Sequence, residues 1–536
     1  MSSRRTAVTS ELPSVAEVHV NGAESLLRSL VASDVDVCFA NPGTSEMHFV
    51  TALDRAPGMR AVLGLFEGVV TGMADGYGRM AGRPAATLLH LGPGLANGLA
   101  NLHNARRAAT PIVNVVGDHA TTHAQYDAPL ASDIAGFARP VSSWIHASTS
   151  ATTVAADTAR AVQAARHAPG GVATLILPAD VAWNEAGPPA PPLPVVAPAR
   201  VDDPVVDGVI EALRANGGAS TAILMRGAAL LERGLEAAGR IAAATGVRLM
   251  CDTFAPRLQR GAGRVAVERL PYFAEQIVET MASVEHLILV GTKPPVSFFA
   301  YPDKPSWCTA PGTRITYLAH SHEDGVGALE AVAAAFTASP VRVDLSLPDE
   351  PDGRLDQFSI GRVVARHLPD DAIVSDEAAT NGLGPSIALA TARPYDHLSL
   401  TGGSIGQGLP LAGGAAVACP DRKVVCLHGD GGAMYTVQSL WTQARENLDV
   451  TTVIFSNRAY AILRVEMART GAQALMAEGD RQALDMFDLS RPDLDWVRIA
   501  GGMGVEAVRV TTVEEFSRAF ASAMAQRGPR LIEAVI

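Results

Sequence analysis

Two short motifs near the end of the chain combine residues that could bind a metal ion and a diphosphate group. They are Gly429-Asp430-Gly431-Gly432-Ala433 and, 27 positions after Asp430, Asn457-Arg458-Ala459-Tyr460. That interval is the length of one strand–helix–strand unit, which would bring Asp430 and Asn457 to the ends of neighbouring strands. Their side-chain oxygens are ligands that Mg²⁺ prefers, and phosphate oxygens and water would fill the remaining positions.

The glycines of the first motif suit a close approach to phosphate. Gly431 and Gly432 carry no side chain that would block the backbone, and a helix that opens near Ala433 would point free N–H groups at the anion. The alternative interpretation is two ordinary turns between strands and helices. The combination of aspartate, glycines and asparagine at this spacing favours a site for Mg²⁺ and a diphosphate.

This pair of motifs resembles the signature of the thiamine diphosphate enzymes of the 2-oxo-acid decarboxylase and acetolactate synthase type. The resemblance implies thiamine diphosphate and Mg²⁺ as cofactors. It implies that Asp430, the Asn457 side chain and the Ala459 carbonyl bind the metal. The residues expected to contact the cofactor around them are Gly431, Gly432, Ala433 and Tyr460.

Composition and charge indicate a soluble globular protein of the α/β type. The chain has 536 residues, which predicts two to four domains, and 48% of them are hydrophobic. A net charge of −12 argues against nucleic acid and anionic membrane surfaces as partners. The five scattered cysteines predict reduced thiols, and we find no signal peptide and no membrane span, so we expect a cytoplasmic location.

Two proline-rich stretches, 186–204 and 339–353, predict linkers between three domains at 1–185, 205–338 and 354–536. Each domain alternates short apolar runs with longer helical patterns, which is typical of an α/β fold with doubly wound parallel sheets. The predicted strands are 35–40, 61–65, 86–89, 112–117 and 174–177, then 221–225, 248–251, 287–290 and 315–318, then 372–375, 424–428, 450–455 and 531–535.

The resemblance assigns these domains as the pyrimidine-binding, middle and diphosphate-binding domains. It implies that the cofactor lies between the first domain of one subunit and the third domain of another. The protein is therefore expected to form at least a homodimer, and a homotetramer is the expected assembly.

Glu67 is the expected acid of the first domain. The cofactor is activated by a carboxyl group that shares a proton with N1′ of its pyrimidine, and such a group belongs in an apolar wall. Glu67 follows the apolar run 61–66, although a glutamate that favours a helix N-terminus is the alternative. The resembling enzymes have a glutamate at this turn, followed by a helix that corresponds here to Asp75-Gly76-Tyr77-Gly78-Arg79. Many of them have histidine before the glutamate, where this chain has Phe66.

Two further residues of the first domain resemble catalytic positions of benzoylformate decarboxylase. Thr44, in the loop 41–46, takes the place of a serine that touches substrate, and its hydroxyl could bind a 2-oxo-acid carboxylate or cap a helix. His90 matches a histidine that moves protons, although a structural histidine is the alternative. The second catalytic histidine of that enzyme is missing here from the middle-domain stretch 296–302.

The third domain would supply the rest of the pocket. By resemblance, the Gly403 carbonyl accepts a hydrogen bond from the aminopyrimidine, Ile405 forces the cofactor to bend, and Thr380 contacts the diphosphate. The helix after Asn457 would cover the reacting end. On that helix, the expected lining residues are Ile462, Leu463 and Glu466, of which Glu466 either contacts substrate or faces solvent.

The expected function is a lyase or carboligase that uses thiamine diphosphate and Mg²⁺ on 2-oxo acids. Non-oxidative decarboxylation is the first expectation, and an aldehyde or ketone acceptor would turn it into acyloin formation. The first alternative is a catalytic subunit of the acetolactate synthase type, which is a transferase. The second is a non-catalytic subunit with the same fold. No FAD signature is found in the middle domain, so we expect no FAD.

Overall fold

The computed structural model describes residues 20–476 and 481–536. The first domain contains a parallel sheet with helices on both faces. Its strands are β1 (Val37–Asn41), β2 (Arg60–Leu63), β3 (Ala85–Leu89), β4 (Ile112–Asp118), β5 (Trp144–Ala147) and β6 (Val172–Pro178). Its helices are α1 (Gly22–Ala32), α2 (Met47–Leu53), α3 (Glu67–Ala81), α4 (Leu91–Ala108), α5 (Ile134–Ala138), α6 (Val154–Arg166) and α7 (Ala179–Trp183). The strand order is β2-β1-β3-β4-β6-β5.

The middle domain has the same layered architecture. Its strands are β7 (Thr221–Met225), β8 (Arg248–Cys251), β9 (Leu258–Arg260), β10 (Glu268–Arg269), β11 (His286–Val290) and β12 (Arg314–Ala319). Its helices are α8 (Asp203–Asn216), α9 (Glu232–Thr245), α10 (Ala274–Met281) and α11 (Gly325–Ala334). Five of the strands form a parallel sheet in the order β10-β8-β7-β11-β12, and β9 joins the next domain.

The third domain begins with a helix and closes with a strand. Its strands are β13 (Ala372–Glu377), β14 (Tyr395–Ser399), β15 (Val424–Gly429), β16 (Val450–Ser456), β17 (Glu506–Val510) and β18 (Arg530–Val535). Its helices are α12 (Gln357–His367), α13 (Leu383–Ala388), α14 (Gly408–Ala418), α15 (Asp430–Ala433), α16 (Ser439–Arg445), α17 (Ala461–Arg469), α18 (Gln482–Asp485), α19 (Trp496–Gly502) and α20 (Val513–Met524). The order β17-β18-β16-β15-β13-β14-β9 places β9 antiparallel at the edge.

All thirteen predicted strands are present, with boundaries that differ by a few residues. The prediction missed β5, β9, β10, β14 and β17, because these strands contain charged or polar residues or are only two or three residues long. The two predicted linkers contain no helix or strand apart from the start of α8. The exact domain boundaries stay a prediction. No helix in the described part of the chain is both long and apolar enough to cross a membrane.

The first and third domains are joined by the close packing of α3 against α14. A Cβ atom at Gly76 would lie 2.1 Å from the Leu411 carbonyl oxygen, and one at Gly414 would lie 1.9 Å from the Met73 carbonyl oxygen. Only glycine therefore permits this approach of two helix backbones. The helix that carries Glu67 at its first position is consequently held rigidly against the third domain.

A buried ion pair on α3 contacts all three domains. The guanidinium of Arg79 lies 2.6 Å from Asp75, and both side chains are almost completely buried. Arg79 also donates hydrogen bonds to the carbonyl oxygens of Pro256 in the middle domain and Ser399 in the third domain. These bonds satisfy the buried charge, which would otherwise carry a large desolvation cost.

Candidate active site

The two motifs of the third domain meet at one carboxylate. Asp430 follows β15 and Asn457 follows β16, which is the neighbouring parallel strand. The Asp430 carboxylate accepts hydrogen bonds from the N–H of Gly431 at 2.8 Å and of Arg458 at 2.7 Å. Arg458 reaches it with a left-handed backbone, at φ 56°. The two motifs that were predicted to be neighbours are therefore in contact.

The chemistry of this site suits a hard divalent cation. Asp430, Asn457 and the Ala459 carbonyl offer only oxygen atoms. Burial raises the pKa of the Asp430 carboxyl group, while the backbone N–H groups of Arg458 and Gly431 lower it. A bound cation would favour the ionised carboxylate in the same way. Across the described residues there is no group of three or more His, Cys, Asp and Glu side chains that could hold a metal.

The helical turn after β15 begins earlier than predicted. The predicted opening near Ala433 is wrong, because α15 starts at Asp430 with Gly429 as its N-cap residue. A Cβ atom at Gly431 would lie 2.4 Å from the ring of Tyr460, and one at Gly432 would lie 3.0 Å from Oε1 of Glu377. A side chain at position 431 would therefore collide with the Tyr460 ring, and one at position 432 would crowd Glu377. The cofactor contacts of these two glycines and of Ala433 stay predictions.

The loop that contains Gly403 and Ile405 is held by a residue that the sequence analysis missed. Glu377, the last residue of β13, accepts hydrogen bonds from the N–H groups of Gly406 and Gly408, each at 2.6 Å. Gly403 itself is exposed and left-handed at φ 74°, with no atom within 4 Å of the position a Cβ would take. The predicted hydrogen bond from the aminopyrimidine to the Gly403 carbonyl stays a prediction.

Below that loop, Glu377 also contacts a buried histidine. The Nε2 atom of His428 lies 3.4 Å from the Glu377 carboxylate. Burial lowers the pKa of the His428 imidazole, but the Glu377 carboxylate raises it, and the net pKa is above the usual value. Thr380 lies in the turn after β13 and is half-buried, so its predicted contact with the diphosphate stays open.

In the first domain, Glu67 and His90 both lie close to one glycine. A Cβ atom at Gly94 would lie 3.0 Å from Oε1 of Glu67 and 3.4 Å from Cβ of His90. Glu67 is buried and is the first residue of α3, the helix N-terminal position that was the alternative interpretation. Asn97 donates a hydrogen bond to the Glu67 carboxylate at 3.0 Å. The fold therefore brings the Glu67 carboxylate and the Cβ atom of His90 to the same part of the first domain.

His90 has a partner that the sequence analysis did not assign. Oε2 of Glu46 lies 2.7 Å from Nδ1 of His90 and also accepts the N–H of Gly43 at 2.8 Å. Glu46 is the last residue of the loop already compared with benzoylformate decarboxylase, and an acid at that position was the available signal. Thr44 is exposed in the same loop, and Gly43 rather than Thr44 occupies the cap position. A substrate contact by Thr44 stays a prediction.

The helix α17 contacts the middle domain through its polar residues. Ile462 is half-buried, while Leu463 is exposed. The Glu466 side chain is only 15% exposed and lies 3.6 Å from Arg469, so the predicted alternative of a solvent-facing residue is wrong. Burial and the Glu466 carboxylate raise the pKa of Tyr301 to about 12. Tyr301 belongs to the stretch in which the catalytic histidine was missing.

The described residues form two separate groups in one chain. Glu67 and His90 have their side-chain partners in the first domain, and Asp430 and Asn457 have theirs in the third domain. Within the described ranges, no hydrogen bond or ion pair connects one group to the other.

Comparisons with known proteins identify the family. The model of the N-terminal TPP binding domain of thiamine pyrophosphate enzymes matches residues 20–137, and that of the C-terminal TPP binding domain matches residues 386–534. A Mycobacterium tuberculosis protein with the provisional name acetolactate synthase large subunit IlvX is 53% identical, over 96% of this chain and 99% of its own. The chain therefore belongs to the thiamine pyrophosphate enzymes, and its TPP-binding domains indicate thiamine diphosphate as cofactor.

Two more relatives place the protein within that family. Benzoylformate decarboxylase of Pseudomonas aeruginosa is 28% identical over 92% of this chain and 95% of its own. The solved 4-hydroxybenzoylformate decarboxylase of Rhodococcus jostii RHA1 superposes with a TM-score of 0.82 at 24% identity, over 96% and 98% of the two chains. The predicted fold of three parallel-sheet α/β domains is confirmed. The protein is an enzyme of the acetolactate synthase and benzoylformate decarboxylase type.

Proposed function

We propose that this enzyme decarboxylates a 2-oxo acid without net oxidation, and that it releases an aldehyde or transfers the acyl group to an aldehyde or ketone. The observation that carries this proposal is the placement of the Glu67 carboxylate and of His90 close to Gly94. It brings an acid suited to the pyrimidine into the same region as a residue whose imidazole can move protons. Loss of CO₂ leaves a carbon that must receive either a proton or an acceptor carbonyl, and His90 can deliver the proton.

Each residue has one task in this proposal. Bound thiamine diphosphate supplies the nucleophilic carbon and the electron sink for breaking the C–C bond. Glu67 would share a proton with the pyrimidine, and the Gly403 carbonyl and the Ile405 side chain would orient the ring.

The metal and the substrate have their own residues. Asp430, Asn457 and the Ala459 carbonyl would hold Mg²⁺. Thr44 binds the substrate carboxylate. The acyl pocket on α17 is lined by Ile462, Leu463 and Glu466.

A transferase of the acetolactate synthase type is the second candidate. It is supported by the provisional name of the relative that is 53% identical. The two candidates share every step up to the loss of CO₂ and differ in whether a second 2-oxo acid accepts the acyl group. A non-catalytic subunit is the third candidate, and the presence of Glu67, Asp430 and Asn457 together argues against it.

The test is product analysis with the full-length protein, thiamine diphosphate and Mg²⁺. Pyruvate, a branched-chain 2-oxo acid and phenylglyoxylate are supplied in turn, with and without an added aldehyde. We expect CO₂ together with an aldehyde or acyloin from at least one of them. A 2-hydroxy-2-alkyl-3-oxo acid as the main product would support the transferase, and the absence of CO₂ from every substrate would contradict both.

We further propose a homodimer as the smallest active assembly and a homotetramer as the main form, located in the cytoplasm. The hydrogen-bond partners of Glu67 lie in the first domain and those of Asp430 lie in the third domain, which is compatible with an active site that two subunits share. A purified protein without flavin absorption is also expected.

A further inference from the structure

The acidic side chain of Glu46 is buried in the first domain. The residue is 1% exposed. One carboxylate oxygen, Oε2, receives both of its close contacts, which come from Nδ1 of His90 and the N–H of Gly43. The other oxygen, Oε1, is buried and has no hydrogen-bond partner among the described residues. Burying a carboxylate oxygen without a partner costs stability, so the arrangement calls for a reason other than packing.

Two glycines leave the space that this pair occupies. A Cβ atom at Gly117, near the end of β4, would lie 1.7 Å from Oε1 of Glu46. A Cβ atom at Gly43 would lie 2.3 Å from Cγ and Nδ1 of the His90 ring. The backbone therefore touches the carboxylate on one side and the imidazole on the other. This confinement leaves the pair little freedom to separate or rotate.

We propose that Glu46 is the positioning residue of His90, which holds the hydrogen on Nδ1 and presents Nε2 to the substrate. An ionised carboxylate only accepts hydrogen bonds, so the nitrogen that faces it must carry the hydrogen. The remaining ring nitrogen is then the one that exchanges protons. The inference rests on the proposed function, because it assigns His90 the proton transfer.

The proton balance of this step is simple. The Nε2–H bond of the imidazolium breaks, a C–H bond forms at the carbon that has lost CO₂, and water returns a proton to Nε2. The Nδ1 hydrogen stays in place. While the ring is a cation, the Glu46 carboxylate at 2.7 Å compensates its charge.

Other titratable groups face this pair from the neighbouring elements. Glu67 approaches from α3 across Gly94, and Asp118 and His119 follow Gly117 at the end of β4. Burial raises the pKa of both Glu46 and Asp118. Glu46 differs from the other two acids because it alone contacts the His90 ring directly.

The test compares Glu46→Gln with the unmutated holoenzyme. A neutral amide can turn its NH₂ group toward Nδ1 and so favour the wrong tautomer, as well as removing the compensating charge. We expect kcat to fall about 100-fold or more while KM changes little. Hydrogen–deuterium exchange at C2 of bound thiamine diphosphate should remain unchanged, because it depends on Glu67. The ¹⁵N signals of the His90 ring should show Nδ1–H in the unmutated protein and a shift of the hydrogen toward Nε2 in the variant.

A matched control separates positioning from stability. Glu24 is another 1% exposed glutamate of the first domain, which is paired with Arg55 at 2.7 Å. Glu24→Gln should reduce stability and leave kcat and the His90 signals unchanged. A decrease in kcat of less than about threefold for Glu46→Gln, or an Nε2–H tautomer in the unmutated protein, would overturn the inference. Failure of the proposed function would instead appear as no accelerated C2 exchange in the unmutated protein, and the ¹⁵N spectra would still decide the role of Glu46.

Discussion

At the scale of single residues, the acids of this protein are distinguished by what contacts them. Glu67 receives one hydrogen bond, from Asn97, and its other oxygen lies next to Gly94. Glu377 receives two backbone hydrogen bonds and orders a loop. A carboxyl group that keeps an oxygen free can share a proton with a ligand, whereas the two oxygens of Glu377 are both occupied by backbone N–H groups and serve the structure of the loop.

Replacing Glu67 tests the first of these roles. The Glu67→Gln variant keeps the shape of the side chain but cannot share a proton with the pyrimidine. We expect hydrogen–deuterium exchange at C2 of bound thiamine diphosphate to slow by about 10²–10⁴-fold, as measured by quenched-flow NMR. Thermal unfolding and cofactor affinity should change little, which would exclude misfolding as the cause. Exchange at the unmutated rate would remove Glu67 from the mechanism.

At the scale of elements, the ion pair on α3 holds three domains together. Replacing Arg79 with methionine leaves Asp75 buried without its charged partner, so we expect a loss of about 3–5 kcal/mol in the free energy of unfolding. Denaturant titration followed by fluorescence measures it.

The control for Arg79→Met is an exposed pair of similar spacing. Arg498, which is 89% exposed and lies 3.3 Å from the 41% exposed Asp495, should lose no more than about 1 kcal/mol on replacement by methionine. Equal losses in the two variants would show that the buried pair has no special role.

A second element, α17, contacts the middle domain through Arg469 and Glu466. Arg469 lies 2.6 Å from Glu275, and its guanidinium stands 4.2 Å above the ring of Phe273. Glu466 interacts with Tyr301, and no residue of α17 is fully buried, so these polar contacts restrain the helix. Arg469→Ala should weaken this restraint by about 1 kcal/mol and raise the amide exchange of residues 461–469 about fivefold, as measured by mass spectrometry.

The same helix offers a matched control for this experiment. Arg464 is exposed, and Arg464→Ala should leave the exchange of residues 461–469 unchanged. If both variants exchange at the unmutated rate, other contacts hold α17 against the middle domain.

At the scale of the whole molecule, the proposed active site, shared by two subunits, predicts complementation between them. Glu67→Gln and Asp430→Ala chains, co-expressed with two different tags and purified on both, should form dimers with one intact site of two. We expect about half of the unmutated activity, although each variant alone is inactive. Co-purified dimers in which both chains carry Glu67→Gln are the control. Activity no higher than that control would place the whole site within a single chain.

The sequence predicted the parts of the site that depend on local order. The spacing of Asp430 and Asn457 placed both residues correctly, because one strand–helix–strand unit brings the ends of neighbouring parallel strands together. Every predicted strand was found for a similar reason, since buried parallel strands are continuous apolar runs. The strands that were missed lack such runs, and β9 reaches a sheet of a different domain.

Residues whose meaning comes from distant partners could not be assigned in this way. Glu46 is 44 positions from His90, and Glu377 is 29 and 31 positions from the glycines it binds. Because these partners are distant in the sequence, no local pattern shows which groups the two glutamates contact.

The amino-acid sequence by itself determined the architecture of three α/β domains, the family, and the pair of oxygen-bearing residues at the ends of β15 and β16. These features arise from periodicity and from short motifs, which neighbouring residues encode. Only the tertiary structure decided that Glu46 contacts His90, that Glu67 and His90 both lie close to Gly94, and that Glu466 contacts the middle domain. The physical reason is that these contacts form between elements, so their distances depend on how complete sheets and helices pack.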